Sequence, residues 1–270
     1  MYFVKTTDEV NLAVYDLNPK GKRTIFLIHG WPLSHLIFEY QLEMLLSGNW
    51  RIILIDLRGF GNSDVPAGGY SYDQMAEDIY QVVCTLRLDR FVLAGFSMGG
   101  AVALRYMNRF QGYGVRRLLL LSAASPFFAG SCDFPLGLSR EEVNDMIEEA
   151  ASDRPAFARR FSHSRLFACC HSEAVEDWFE GIALSASGIA TVQCGLSLRD
   201  EDGREDLESV RVPAVIIHGG RDQVVPPALA RYQQEHIRGA RLCILENSGH
   251  GIVYDELDRF NEVFLQSLEG

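Results

Sequence analysis

Short, unbroken apolar segments alternate with amphipathic segments along most of the chain. Eight short, mainly apolar segments predict strands: residues 3–6, 11–15, 24–29, 51–56, 90–94, 116–122, 215–218 and 241–245. Helical spacing of apolar residues appears in five other segments: 36–46, 72–86, 98–110, 228–236 and 257–268. Parallel strands that are covered on both faces appear in sequence as continuous apolar runs. The pattern therefore predicts an α/β fold with a mostly parallel, eight-stranded, doubly wound sheet.

The stretch between the sixth and seventh predicted strands interrupts this alternation. It contains no predicted strand, and four short amphipathic segments have helical spacing: 141–151, 155–161, 174–185 and 189–198. A stretch of this length is not a bare loop in a compact domain. We therefore expect a helical cap, residues 126–208, inserted into a core formed by residues 1–125 and 209–270. The charged run at its end, 200–206, is expected to be a solvated loop.

Charge and composition exclude several classes of partner. The 270 residues include 25 Lys and Arg and 36 Asp and Glu, which gives a formal net charge of −11. Clustered basic side chains are needed to bind nucleic acid or an anionic membrane surface, so we expect neither. We also expect no membrane-spanning segment and no signal peptide. The 6 cysteines lack CxxC spacing, which indicates reduced thiols, no metal framework and a cytoplasmic location.

A serine lies at the junction of a predicted strand and a predicted helix. Gly95-Phe96-Ser97-Met98-Gly99 matches the pattern G-x-S-x-G in that context. Glycines on both sides allow the sharp turn that exposes the serine hydroxyl, and the amide of Met98 then points toward a developing oxyanion. The alternative is a glycine-rich turn that binds phosphate or only packs. Neither G-x-G-x-x-G nor GK[ST] occurs, which weakens that alternative.

An acid and a histidine follow two later strands in the order that this turn requires. Asp222 comes shortly after the strand at 215–218, and His250 follows the strand at 241–245. The carboxyl ends of parallel strands meet at one edge of a sheet, so we expect these side chains to lie near Ser97. A serine needs a base to become a nucleophile. We therefore predict a triad in which His250 is the base and Asp222 orients it.

The remaining acids and histidines are interpreted as structural. Surface, turn or helix positions are expected for four acids: Asp56, Asp64, Asp78 and Asp255. His29 and His218, in His-Gly pairs at strand ends, are expected to be structural. Solvent or cap positions, without the spacing of a metal site, are expected for the other four histidines: His35, His163, His171 and His236.

The loop after the third predicted strand is expected to complete the oxyanion hole. There Gly30 lets the chain turn, Pro32 stiffens it, and the backbone N–H of Trp31 is the candidate donor beside that of Met98. Aromatic side chains of this loop and of the cap either line an apolar substrate pocket or only pack the cap onto the core. The pocket candidates are Trp31, Phe127, Phe128, Phe161 and Trp178.

With these motifs in order, the sequence resembles the α/β-hydrolase family over nearly the whole chain outside the cap. The motifs are His29-Gly30-Trp31-Pro32, Asp56-Leu57-Arg58-Gly59-Phe60-Gly61-Asn62-Ser63-Asp64, Gly95-Phe96-Ser97-Met98-Gly99-Gly100, Gly219-Gly220-Arg221-Asp222 and Ser248-Gly249-His250. HGWPLS, RGFGNSD and GFSMGG are similar to cofactor-free haloperoxidases, which act as esterases and perhydrolases. Leu57 departs from the arginine that this subgroup often has. Ser97 replaces the aspartate that haloalkane dehalogenases and epoxide hydrolases place there.

The resemblance implies ester hydrolysis without a cofactor, with peracid formation from a carboxylic acid and peroxide as a side activity. The first hypothesis is a serine hydrolase for small to medium carboxylic esters, with a small-molecule ester as the partner. A carbon–carbon bond or amide hydrolase with the same triad is the second. The third is a non-catalytic ligand-binding relative on the same fold. Family analogy implies a monomer or a homodimer.

Overall fold

Eight strands form one sheet in the computed structural model, which describes residues 1–269. They are β1 Tyr2–Lys5, β2 Asn11–Leu17, β3 Arg23–Ile28, β4 Trp50–Ile55, β5 Phe91–Phe96, β6 Val115–Leu121, β7 Ala214–Gly219 and β8 Arg241–Leu245. Their order in the sheet is β1-β2-β4-β3-β5-β6-β7-β8. The pairs β1–β2 and β2–β4 are antiparallel, and all the other pairs are parallel. The predicted mostly parallel, eight-stranded sheet is confirmed.

Helices connect the strands and cover the sheet. In the part of the chain that the structure describes, they are α1 Glu39–Ser47, α2 Tyr72–Thr85, α3 Met98–Arg109, α4 Arg140–Ser152, α5 Arg154–Arg160, α6 Glu173–Leu184, α7 Gly188–Asp200, α8 Arg204–Glu208, α9 Pro227–His236, α10 Ile252–Asp255 and α11 Leu257–Leu268. One group packs α1 against α10 and α11, and another packs α3 against α2 and α8. Strands β5 and β7 are buried along their whole length, which explains their unbroken apolar sequence.

The segment between β6 and β7, which we call the cap (residues 126–208), is helical. Its helices α4 to α7 lie where the apolar spacing predicts them, with a short π-helical segment, Phe161–Arg165, after α5. Among its described residues only two isolated β-bridges occur, Ala129 with Leu138 and Ser131 with Phe134. That the cap is an independent lid on the core stays a prediction.

The charged run at the end of the cap is only in part the solvated loop that the sequence suggested, since Asp200, Asp202 and Glu205 are exposed but Asp206 is not. Helix α8 begins inside it, at Arg204, and Asp206 is only 3% exposed. Arg105 on α3 donates to Asp206 at 2.8 Å and to Glu201 at 3.2 Å. A partner cation from a distant helix therefore offsets the cost of burying these acids, and the sequence run alone does not reveal that partner.

No single helix among the described residues has both the length and the apolar character needed to cross a membrane. Helices α6 and α7 together reach the length and apolar composition of a membrane span, but the pair is bent by 91°.

Candidate active site

Ser97 lies in the sharp turn between β5 and α3. Its backbone angles are φ 53° and ψ −120°, a conformation that is strained for a residue with a side chain. A side chain at Gly95 would collide with the backbone of Gly99, and one at Gly99 with the carbonyl of His29. The two flanking glycines are therefore required by the close packing of this turn.

The structure brings Ser97, His250 and Asp222 together at the carboxyl edge of the sheet. His250 Nε2 lies 3.0 Å from Ser97 Oγ, and His250 Nδ1 lies 2.8 Å from Asp222 Oδ2. An ionised carboxylate only accepts hydrogen bonds, so Nδ1 carries the proton and Nε2 is free to accept from the serine hydroxyl. Ser97 is 5% exposed, Asp222 6% and His250 0%. This arrangement can remove a proton from Ser97.

Asp222 is held ionised by its surroundings. Its Oδ1 accepts from the backbone N–H groups of Val224 and Val225, both at 2.8 Å. Burial raises the pKa of this carboxyl, but the charge and hydrogen bond of His250, the nearby His218 and the Val225 amide together lower it below the usual value. The carboxylate is therefore available to orient His250 and to stabilise its charged form.

Two other buried histidines bind backbone groups beside the triad. Leu57 N–H donates to His29 Nε2 at 2.9 Å, so His29 Nδ1 donates to the carbonyl of Gly30, also at 2.9 Å. Burial lowers the pKa of His29 to about 4. His218 Nε2 donates to the carbonyl of Val225 at 3.0 Å, and burial lowers the pKa of His218 as well. Both rings are therefore neutral near pH 7, and their contacts are those expected of structural histidines.

The backbone amides of Met98 and Trp31, the predicted oxyanion-hole donors, belong to the residue after Ser97 and to the loop that packs on it. Met98 is the first residue of α3, and a Cβ added to Gly30 would lie 2.6 Å from Ser97 Cβ, so the loop of Trp31 packs directly on the serine. Within residues 1–269, neither amide donates a hydrogen bond to another protein atom. An oxyanion hole requires backbone donors that are free of other partners, and the role of these two amides in one stays a prediction.

The predicted pocket residues fall into different environments. The Trp31 ring packs on Phe157 at 5.1 Å, and Phe157 packs on Phe161 at 6.3 Å. Trp31 Nε1 also donates to the carbonyl of Thr191 in α7 at 2.8 Å, which is a second contact between the Trp31 loop and the cap. Phe128 is buried. Sequence reasoning missed Phe157, although its position four residues before Phe161 in a helical segment was an available signal.

Phe127 and Trp178 lie elsewhere. Phe127 lines a surface cavity of about 610 Å³ with residues such as Cys132 and Pro135. Trp178 lines another of about 610 Å³ with Tyr40. Neither cavity is lined by a residue of the triad, and the pocket role of these two side chains stays a prediction. The apolar pattern of a cap helix does not show which face it turns to the site.

Three acids that sequence reasoning left at the surface, in turns or in helices are buried, with partners that satisfy them. Asp56 accepts from His35 Nδ1 at 2.7 Å, and Asp78 accepts from Arg58 at 2.6 Å. Asp255 accepts from backbone amides and contacts His171. These partners are distant in sequence, which is why residue type alone did not indicate burial. Asp64 is the exposed member of the four.

His163 has acidic partners that its sequence spacing does not suggest. Its Nε2 lies 3.3 Å from Asp177 and 3.0 Å from Glu180, and its Nδ1 lies 3.2 Å from Glu176. The ligand atoms of His163, Asp177 and Glu180 are close enough for one metal ion. Arg159 also pairs with Glu180, at 3.3 Å, so a cation already shares one acid of this cluster.

Comparison with known proteins agrees with this geometry. The model of the family described as "alpha/beta hydrolase fold" matches residues 23–257. The AB hydrolase superfamily protein YisY of Bacillus subtilis (strain 168) is 41% identical over 269 residues, and the match covers 98% of each chain. A putative non-heme chloroperoxidase of Synechocystis is 32% identical over 275 residues, which cover 98% of this chain and 99% of the relative.

A solved structure shows the same likeness in three dimensions. An esterase (EaEST) from Exiguobacterium antarcticum superposes with a TM-score of 0.96 at 38% identity, and the match covers 100% of this chain and 99% of that one. The chain therefore belongs to the α/β-hydrolase family, in the group of cofactor-free haloperoxidases and esterases, and is a hydrolase.

Proposed function

We propose that the protein is a serine esterase that cleaves small to medium carboxylic esters through an acyl-enzyme. The observation that carries this proposal is the continuous chain of hydrogen bonds from Ser97 Oγ to His250, at 3.0 Å, and from His250 to Asp222, at 2.8 Å. Ser97 lies in a strained turn at the start of α3, and this supports its role as the nucleophile.

Each residue has a defined role in the reaction. His250 Nε2 takes the proton of Ser97 as the serine oxygen attacks the ester carbonyl, and Asp222 stabilises the resulting imidazolium. The N–H groups of Trp31 and Met98 stabilise the negative charge on the former carbonyl oxygen. Collapse of the intermediate releases the alcohol, which takes the proton from His250. A water molecule then gives a proton to His250 as its oxygen attacks the acyl group, and His250 returns that proton to Ser97 Oγ as the bond to serine breaks and the carboxylic acid leaves.

The surroundings of Ser97 favour a compact acyl group. Ser97 is only 5% exposed, and the Trp31 ring of the neighbouring loop packs on the cap residue Phe157, which packs on Phe161. We expect these aromatic rings to form an apolar wall that binds short aliphatic acyl chains and excludes bulky ones. Hydrogen peroxide is smaller than these substrates. In place of water on the acyl-enzyme it would give a peracid, and we propose this reaction as a side activity.

A labelling experiment tests the proposal. A fluorophosphonate probe should form an adduct on Ser97, located by mass spectrometry, and the protein should hydrolyse p-nitrophenyl acetate and butyrate faster than longer esters. The Ser97→Ala variant should lose labelling, and its kcat/KM should fall by roughly 10⁴-fold or more. Ser152→Ala, at an exposed position in α4, serves as the control. Full ester turnover by Ser97→Ala contradicts the proposal. Labelling of Ser97 without ester turnover would also contradict the proposal and would indicate that the triad cleaves an amide or a carbon–carbon bond instead.

A further inference from the structure

The loop that carries His250 packs directly against the cap. A Cβ added to Gly249 would lie 2.7 Å from the backbone nitrogen of Ala168, and one added to Gly251 would lie 2.6 Å from the ring of Phe167. Contacts this short leave no room for a side chain on either flank of His250. The cap therefore touches the backbone immediately before and after this histidine.

One carboxylate binds both sides of this contact. Asp255 Oδ2 accepts from the N–H of Gly249 at 2.5 Å and of Ala168 at 2.8 Å, while Oδ1 accepts from the N–H of Cys169 at 3.0 Å. His171 Nε2 lies 2.9 Å from Oδ1. One donor belongs to the His250 loop, and the other three belong to the cap.

The burial of Asp255 makes these contacts interdependent. Its side chain is 0% exposed, so water does not replace a donor that moves away, and an under-solvated buried carboxylate is costly. If the cap segment 166–171 shifts, Asp255 loses three of its four donors and must move or admit water. The amide of Gly249, one residue from His250, then loses its fixed acceptor.

The adjacent acid has a different set of partners. Glu256 accepts from the N–H of Asn247 at 3.1 Å and from Ser248 Oγ at 2.9 Å, which anchors the start of the same loop. In the described part of the chain it accepts no hydrogen bond from the cap. The connection between the cap and the His250 loop through a carboxylate is thus specific to Asp255.

We propose that Asp255 is a positioning residue that makes the placement of His250 between Ser97 and Asp222 depend on the seating of cap segment 166–171. This inference rests on the proposed function of the triad. A seated cap aligns the base, and a displaced cap releases it, so that the catalytic alignment is completed only when the cap is closed.

Two variants test this dependence. Asp255→Asn keeps the shape of the side chain but replaces one acceptor oxygen with a donor. We expect kcat for p-nitrophenyl acetate to fall by about 10- to 100-fold with less than about a threefold change in KM, since misalignment of a base affects the chemical step. His171→Phe removes one cap donor and retains a ring against Phe167 and Tyr254, which His171 contacts at 4.7 and 5.1 Å. It should lower kcat by about 3- to 10-fold.

A double-variant cycle separates this coupling from independent structural damage. If both side chains act through one carboxylate, the double variant should be no slower than Asp255→Asn alone. Asp258→Asn, the same exchange at an exposed position of α11, should leave kcat unchanged. Multiplicative effects on kcat, or a His171→Phe variant with unchanged kcat, would overturn the inference.

Hydrogen–deuterium exchange gives a readout that does not depend on turnover. In His171→Phe, which retains the buried carboxylate, peptides covering 247–251 should exchange faster together with those covering 166–171, while α3 exchanges as before. Unchanged exchange at 247–251 refutes the positioning role of Asp255. Absence of Ser97 labelling in the unmodified protein refutes the proposed esterase function, whatever the exchange shows.

Discussion

At the scale of single residues, hydrogen bonds decide which nitrogen of each buried histidine carries the proton. His250 donates from Nδ1 to Asp222, and His29 has a bare Nε2 that accepts from the Leu57 amide. His218 donates from Nε2, which leaves its Nδ1 without a hydrogen-bond partner. Of these three rings, His250 is the one whose bare nitrogen faces a hydroxyl. The tautomers therefore single out the general base.

The lowered pKa of His29 predicts a loss of stability in acid. The pKa is 6.5 in the unfolded chain and about 4 in the folded protein, so between these values the unfolded state binds the proton and the folded state does not. The free energy of unfolding should therefore fall by up to about 3 kcal/mol as pH drops from 6.5 to 4. Urea unfolding at pH 7, 6, 5 and 4 measures this change in the free energy of unfolding.

Two variants locate the source of that slope. His29→Gln does not titrate and should reduce the dependence of the unfolding free energy on pH between 6.5 and 4, leaving the part that comes from the lowered pKa of His218. His236→Gln, at an exposed position, should leave the dependence as it is. An unfolding free energy in the unmodified protein that stays constant over this range would contradict the buried neutral state of His29.

At the scale of elements, one arginine links four helical segments. Arg105 on α3 donates to Asp73 of α2 at 2.7 Å, to Glu201 after α7 at 3.2 Å and to Asp206 of α8 at 2.8 Å. Its side chain is 14% exposed and that of Asp206 is 5% exposed. This network fixes the last part of the cap to the helices that cover the sheet.

Removal of this arginine should be strongly destabilising. Arg105→Ala leaves Asp206 and Glu201 without their cation, and we expect the free energy of unfolding to fall by about 3 kcal/mol, as for a broken buried pair. Arg109 lies one turn further along α3, with a side chain that is 42% exposed, and within residues 1–269 its one ion pair is with Asp73, at 3.3 Å. Arg109→Ala should cost less than about 0.5 kcal/mol. Equal losses in chemical unfolding would contradict the role of the network.

The elements themselves followed from the sequence, whereas these links between them did not. Strand β5 and helix α3 are visible as an apolar run and a helical period on either side of Ser97, because local sequence determines both. Asp206 and Asp255 gave no comparable signal, because their burial depends on Arg105 and on cap amides far away in the chain. Trp178 is a similar case: the sequence predicted its helix but not the direction in which that helix turns the side chain.

At the scale of the whole molecule, the sheet order creates the place where the candidate site lies. β4 pairs with one side of β3 and β5 with the other, so the chain leaves the carboxyl ends of β3 and β5 in opposite directions. A crevice opens at such a reversal of strand order. Trp31 follows β3 and Ser97 follows β5. The order of motifs predicted this meeting, since it depends on topology and not on side-chain packing.

The net charge of −11 predicts a preference for neutral esters. A negative protein repels anionic substrates during encounter, and salt screens that repulsion. For a p-nitrophenyl ester with a terminal carboxylate, kcat/KM should rise severalfold between about 0.01 and 0.15 M salt, over which the Debye length falls from about 30 to 8 Å. For p-nitrophenyl acetate it should stay constant. Parallel salt responses of the two esters would contradict this prediction.

The fit between the cap and the glycines beside His250 limits how such a protein can be recombined. A chimera that takes its cap from a relative brings in foreign residues at 166–171, which must pack on Gly249 and Gly251 and supply donors to Asp255. Segments 166–171 and 247–255 therefore form one exchangeable block, although about 75 residues separate them. A chimera whose crossover points separate the two segments would pair a cap with a His250 loop from a different protein, and the contacts between them would not match.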